Sequence, residues 1–331
     1  MKIAVFGAGL VGRRHVTEVA QQAELCAIVD PAEGAKALAA EHGVPWFAAP
    51  EACLAAMTPD GVIIATPNNL HADQALHCLE KQIPVLIEKP IAGTAADADR
   101  IVAASETTGV PVLIGHHRRH NPRISAAKKA IEDSMLGKIV AVNGQFWLYK
   151  PDDYFQESWR KQPGAGPLFI NFIHDIDLLR YLCGEVVDIQ AMRSNAQRGA
   201  DVEDTAAVIL RFKNGALGTF SLSDSVVAPW SWEMTSGENP VYPHHPETCY
   251  TIGGTHGALA LPQLELWAHP DKRGWWERIN WQTLEFTHED AFKLQLTHFL
   301  KVIKGAPPLV SAAEGRASLQ VVLEITRRAA L

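Results

Sequence analysis

The first 120 residues alternate short apolar runs with longer mixed stretches. Residues 2–6, 25–29, 44–47, 61–65, 84–88 and 111–115 are apolar runs, and helical spacing fills 10–22, 33–42, 51–57, 69–81 and 95–107 between them. The runs are continuous rather than alternating, the mark of strands buried on both faces, so they predict a parallel sheet covered by helices. Repeated strand–helix alternation makes that sheet doubly wound. Right-handed crossovers then gather the strands' carboxyl ends on one edge, bringing together Gly7, Asp30, Thr66, Glu88-Lys89 and Gly115-His116-His117.

Past residue 120 the texture changes. The spacing predicts a helix over 122–134, a long strand over 138–149 and a helix over 168–183 that stops at Gly184. Residues 186–286 read as strands and turns, with a hairpin of 206–212 against 216–220 around Lys213-Asn214-Gly215. Two helices, 289–304 and 312–328, close the chain. The expected fold class is therefore α/β plus α+β. A Rossmann-type doubly wound domain over 1–121 precedes a substrate-binding and oligomerisation domain over 122–331, with an open antiparallel sheet and flanking helices. The last helix is free to pack back on the first domain.

Composition narrows the function. A chain of 331 residues is long enough for two domains, and 47% hydrophobic with 20% charged residues is ordinary globular usage, which excludes global disorder. A formal net charge of -7 repels a phosphate backbone, so nucleic acid is not an expected partner. The cysteines, Cys26, Cys53, Cys78, Cys183 and Cys249, are odd in number and form no CxxC, as expected for free thiols in a reducing cytoplasm. No apolar run approaches the ~20 residues of a membrane span. The apolar opening is followed by Arg13 and Arg14 and contains glycines with another use, so a signal peptide is not expected.

That use is the GxGxxG pattern Gly7-Ala8-Gly9-Leu10-Val11-Gly12, which ends a strand, opens a helix and lies 18 residues before Asp30. In this setting Gly7 permits the tight turn, Gly9 admits a diphosphate to the backbone, and Gly12 allows close helix–strand packing. The helix N-terminus adds free N–H groups and positive dipole. A turn that serves packing alone is the alternative. Asp30 is placed to accept from ribose hydroxyls, and its carboxylate repels a 2′-phosphate, so NAD is expected ahead of NADP. Asp30 could also simply cap the helix that follows.

Lys89, in Glu88-Lys89-Pro90, sits at a strand's carboxyl end beside the cofactor crevice, where an ammonium can hold a substrate oxygen or move its proton; a solvated lysine is the plain alternative. Asn171 and His174 are three apart on a predicted helix and so share a face. An imidazole takes a hydroxyl proton near neutral pH, although His174 could equally be structural. A zinc site at His116–His120 is opposed by the interleaved Arg118 and Arg119, and none is expected. Trp147 and Trp159 are placed to stack on a sugar ring, while the other late tryptophans fit a sheet face or a subunit interface. No GxSxG motif supports serine hydrolysis.

Together, Gly7–Gly12, Thr66-Pro67-Asn68-Asn69-Leu70-His71, Glu88-Lys89-Pro90, Gly115-His116-His117-Arg118-Arg119 and Ile173-His174-Asp175-Ile176-Asp177 resemble the Gfo/Idh/MocA oxidoreductase family from residue 1 to about 184. The resemblance implies that Thr66, Pro67, Asn68, His71 and Glu88 line the cofactor and that Lys89 is catalytic. It implies that His117 and Arg118 face the substrate, that His174 lies near the reacting carbon, and that the chain forms a homodimer or homotetramer. One position departs from the family pattern: Ile170 stands where an aspartate is usual, four residues before the histidine. Acid–base duty then falls on His174 with Lys89, with Asn171 orienting the substrate. The expected activity is NAD(P)-dependent hydride transfer between nicotinamide and a secondary alcohol of a sugar, cyclitol, polyol or related hydroxy acid; Arg118 favours an acidic one. A redox-neutral sugar enzyme with tightly held NAD, and a non-catalytic nucleotide-dependent sensor, are the alternatives.

Overall fold

The computed structural model describes residues 1–162 and 164–329. They form two compact units, one of residues 1–120 with 289–320, the other of residues 121–288 with the remaining C-terminal residues.

In the first unit six strands, β1 (Lys2–Phe6), β2 (Glu24–Val29), β3 (Trp46–Phe47), β4 (Gly61–Ile64), β5 (Val85–Glu88) and β6 (Val112–Gly115), lie in the order β3-β2-β1-β4-β5-β6. Every pairing is parallel. β4, β5 and β6 are buried at every position, as continuous apolar runs require. The chain winds outward from β1 to β3 and returns to β4 on β1's other side, which opens a crevice past the carboxyl ends of β1 and β4. Helix Ala291–Ile303 belongs to this unit. It packs on β4 where Gly61 leaves room: a Cβ there would stand 2.7 Å from Ile303 Cδ1. The amide of Ile114 donates to Val310 O at 2.8 Å, tying the segment after that helix to β6.

The second unit is built on eight strands, β7 (Ile139–Trp147), β8 (Val186–Ser194), β9 (Thr205–Phe212), β10 (Leu217–Ser223), β11 (Tyr250–Gly254), β12 (Gly257–Leu261), β13 (Glu265–Ala268) and β14 (Asn280–Thr283), in the order β14-β13-β12-β11-β7-β10-β9-β8. The expected antiparallel sheet is in fact mixed, because β7 and β10 pair in parallel. The reason is the helical crossover between β7 and β8. The β8-β9-β10 meander then brings β10 back beside β7 in the same direction. β9 alternates buried and exposed positions. Its inner face packs with Phe172, Ile176 and Leu179 of helix Phe172–Cys183, while Val140, Met192, Ile209 and Leu217 stay exposed.

Two further differences concern the aromatic and helical patterns. The late tryptophans do not form one cluster: Trp232 is in the core, Trp267 stacks on Trp281 across β13 and β14, and Trp275 and Trp276 are exposed. The expected helix 168–183 is broken into Pro167–Ile170 and Phe172–Cys183, with Asn171 at the joint at φ -103°. Asn171 keeps a helical conformation at the joint, and its carbonyl accepts the His174 N–H at 3.1 Å.

Gly144 in β7 has no room for a side chain, since a Cβ would lie 2.4 Å from the Phe220 ring and 2.9 Å from Tyr250. Gly144→Ala should cost the second unit about 1–3 kcal/mol through overpacking, read as a lower urea midpoint.

Candidate active site

The glycine turn is built by exclusion. Gly7 has φ +94°, and a Cβ on it would meet Ala65 O at 2.4 Å. A Cβ on Gly12 would meet Gly7 O at 2.0 Å. A Cβ on Gly9 meets nothing within 4 Å, so the space over the turn is open. Helix Leu10–Gln22 has no side-chain cap at Gly9, and its first intrahelical bond runs from Arg13 N–H to Gly9 O. The N–H groups of Leu10, Val11 and Gly12 have no acceptor among the described residues, and Leu10 is 91% exposed. Open space in front of unpaired N–H groups at a helix N-terminus fits a diphosphate.

Asp30, half-buried past β2, locks the same turn. Its Oδ2 accepts the Ala8 N–H at 2.7 Å and its Oδ1 the Ala32 N–H at 2.8 Å. Ala8 N–H is therefore spent within the protein, and the open N–H groups are those of the helix's own first turn. Each Asp30 oxygen keeps a second lone pair for a ribose hydroxyl. Closure of the glycine turn and the approach to the next helix thus use the same carboxylate.

At the end of β5, Lys89 is half-exposed and Glu88 is buried. Glu88 Oε1 accepts from His15 Nε2 at 2.7 Å, and Oε2 accepts the Lys89 backbone N–H at 3.2 Å. A carboxylate only accepts, so the His15 proton sits on Nε2. Gly115 makes the space, because a Cβ there would press on Glu88 at 3.0 Å. Burial pushes the Glu88 carboxyl up, but the His15 hydrogen bond and the charges of His15, His117 and Lys89 outweigh it and hold it below the usual carboxylate range. Phe292 stacks on His117 at 4.6 Å, and the His15 ring tilts against it at 5.5 Å.

His15 and Phe292 escaped the sequence reading. His15 carried one signal, a polar residue on the buried stripe Gly12, His15, Val16, Val19, which demands a partner. Phe292 carried none, because it is distant in the chain.

After β4, Thr66 and Asn68 are half-exposed and Pro67 is exposed. Thr66 Oγ1 donates to Gln74 Oε1 at 2.8 Å. His71 is the first residue of helix His71–Glu80. It is 1% exposed, its Nε2 lying 2.8 Å from Thr66 O and its Nδ1 3.0 Å from Pro90 O. The ring is spent tying the loop after β4 to the one after β5. Burial holds its pKa below the ordinary value against the pull of those carbonyls. His117 is half-exposed; Arg118 is 3% exposed, so its guanidinium does not stand open to a carboxylate as expected.

In the second unit His174 and Asn171 are half-exposed. Asp175, the nearest carboxylate in sequence, is buried and accepts the Tyr250 hydroxyl. Asn171 Oδ1 accepts from Lys150 Nζ at 2.9 Å, a partner that sequence spacing did not suggest. Trp147 is not free for a sugar, since its Nε1 donates to Ser221 Oγ at 2.9 Å and its ring packs on Trp230. The Trp159 side chain lies outside the described residues. A cavity of about 620 Å³ in this unit is lined by Tyr149, Asp152, Phe155, Lys161, Arg198 and neighbours; none of the expected site residues lines it. Among the described residues no three His, Cys, Asp or Glu side chains converge as metal ligands.

The Glu88–His15 pair supports a stability prediction. A carboxyl whose folded pKa is lowered contributes stability above its unfolded value, about pH 4–5, and loses it as pH falls through the folded value. His15→Leu leaves the buried carboxylate without its side-chain donor and should cost about 1–3 kcal/mol at pH 7. The deficit should shrink at a second, acidic pH below the lowered folded value of Glu88, where the carboxyl protonates. Urea unfolding of both proteins at the two pH values checks this.

Two family models match the chain: "Oxidoreductase family, NAD-binding Rossmann fold" over residues 1–116 and "GFO/IDH/MocA C-terminal domain" over residues 124–260. Myo-inositol 2-dehydrogenase of Thermotoga maritima is 27% identical over 96% of this chain and 93% of its own length. Rhizopine catabolism protein MocA of Rhizobium meliloti is 27% identical over 67% of this chain and 70% of its own. The WlbA dehydrogenase from Bordetella pertussis, solved with NADH and UDP-GlcNAcA, is 25% identical and superposes with a TM-score of 0.79 over 99% of this chain and 96% of that one. With the glycine turn, Asp30 and Lys89 in their places on the doubly wound sheet, the chain belongs to the Gfo/Idh/MocA family of NAD-binding oxidoreductases.

Proposed function

We propose that the protein is an NAD-dependent dehydrogenase that oxidises a secondary alcohol of a sugar, cyclitol, polyol or related hydroxy acid. The observation that carries this is the open, uncapped glycine turn on the same sheet edge as a half-exposed Lys89. Relatives named for inositol and levoglucosan support a polyhydroxylated ring as substrate. Bound NAD supplies the hydride acceptor. The N–H groups of Leu10, Val11 and Gly12 hold its diphosphate, and Asp30 holds the ribose and repels a 2′-phosphate. Thr66, Pro67 and Asn68 flank the crevice.

Lys89 orients the substrate oxygen and stabilises negative charge on it as the hydroxyl proton leaves. Glu88 accepts the Lys89 backbone N–H, so the His15–Glu88 pair fixes the backbone that carries the ammonium. In the second unit, His174 is the group whose ring takes up a hydroxyl proton near neutral pH.

The exposed apolar positions on the outer face of the second sheet support assembly as a homodimer or homotetramer. No helix among the described residues is long and apolar enough to cross a membrane. Five free thiols support a cytoplasmic location.

Two variants test the reading against myo-inositol, levoglucosan and UDP-N-acetylglucosamine, followed by absorbance at 340 nm. Lys89→Ala should lower kcat by about 100-fold or more while NADH affinity, measured by fluorescence titration, is kept; unchanged turnover removes Lys89 from the chemistry. Asp30→Ala should weaken NAD and narrow its advantage over NADP; an unaltered cofactor ratio removes the ribose role.

A further inference from the structure

Isoleucine at position 170 removes a carboxylate from the pattern, and the charge that reaches the next residue comes from elsewhere in the second unit. Lys150 follows β7 and is 8% exposed. Its Nζ donates to Asn171 Oδ1 at 2.9 Å and lies 3.6 Å from Asp224 Oδ2. Its backbone is held too: Lys150 N–H donates to Asp224 O at 2.8 Å, and Lys150 O accepts from Arg198 Nη2 at 2.8 Å. Asp224, 2% exposed, is shared with Arg198, whose Nε donates to it at 3.0 Å. Burial pushes the Lys150 ammonium below the usual lysine value, Asp224 and Glu233 pull it back, and Arg198 adds to the lowering.

The chemistry of the two groups decides how the Asn171 amide faces. An ammonium has donors and no acceptor, so it meets the amide through Oδ1. Nδ2, with its two N–H donors, then faces the other way, where it makes no hydrogen bond among the described residues. An amide locked in that sense presents N–H donors at its free end.

We infer that Lys150 is a positioning residue that holds Asn171 as a hydrogen-bond donor toward an uncharged substrate oxygen, a ring hydroxyl or the ketone it becomes. The position beside the missing aspartate then binds oxygen and does not take a proton from it, which leaves proton uptake in this unit to His174. The inference rests on the dehydrogenase reading above. Lys150 acts only through Asn171, and that dependence is what an experiment can separate from a structural role.

The test measures kcat/KM on the full chain with NAD and the same three alcohols for wild type, Lys150→Met, Asn171→Ala and the double variant. Each single variant should lose about tenfold in kcat/KM for the alcohol while KM for NAD stays, as for one lost hydrogen bond. The double variant should be no worse than Asn171→Ala, because interacting positions are not additive. Lys150→Arg, which keeps a donor, should recover part of the loss. Losses that multiply in the double variant, or a Lys150→Met enzyme with wild-type kcat/KM, overturn the inference. Should Lys150→Met fail to fold, Asn171→Asp decides, since it keeps an oxygen for Lys150 and removes the donors; full activity there overturns the inference. A wild type that binds NADH and turns over none of the alcohols sinks the dehydrogenase reading and this inference with it, whereas wild-type turnover with unaffected variants sinks the inference alone.

Discussion

A side chain at position 12 would have its Cβ 2.0 Å from the carbonyl oxygen of Gly7, and one at position 7 would have it 2.4 Å from the carbonyl oxygen of Ala65. No rotamer relieves either clash, because both partners are backbone. The strand-to-helix turn exists only because three chain segments approach where no Cβ intervenes. That approach sets the direction of helix Leu10–Gln22, which aims its unpaired N–H groups at the crevice and presents His15 one turn on to Glu88. Asp30 closes the turn from β2 by taking the Ala8 N–H. Cofactor binding and the arrangement around Lys89 therefore depend on one packing constraint.

The two units solve their polar problems in the same manner. In the first, the buried Glu88 carboxylate is satisfied by His15 and by the amide of Lys89, and Gly115 supplies the space. In the second, the buried Lys150 ammonium is satisfied by Asn171 and Asp224, with Arg198 completing the pairing of Asp224. Each case is a charge taken out of water and held by groups from distant parts of the chain, which is costly unless every partner is in place. Each also holds a neighbouring group, the Lys89 backbone N–H in the first unit and the Asn171 amide in the second.

The sheet of the second unit has an analogous division of labour. Its inner face carries the core with helix Phe172–Cys183, while its outer face leaves Met192 and Ile209 in the open. The alternation in β9 produces both faces at once, since successive side chains point to opposite sides.

Local pattern was enough for the elements of the first unit, because continuous apolar runs and glycine spacing are short-range signals with a direct steric cause. Helix Leu10–Gln22 and helix Ala312–Arg328 have the boundaries their spacing predicts. It was also enough for Gly7, Gly9, Gly12, Asp30 and Lys89, whose positions follow from the ends of those strands. Less of the second unit was legible. The parallel pairing of β7 with β10 depends on where a long crossover returns, and the side-chain partner of Asn171 is an ammonium 21 positions earlier in the chain. The burial of His71 and Arg118 likewise depends on what packs over them. The sequence by itself determined which residues could do chemistry and on which strand ends they stand. Only the tertiary structure decided which of them are spent on one another, because hydrogen bonds between distant segments leave no period in the chain.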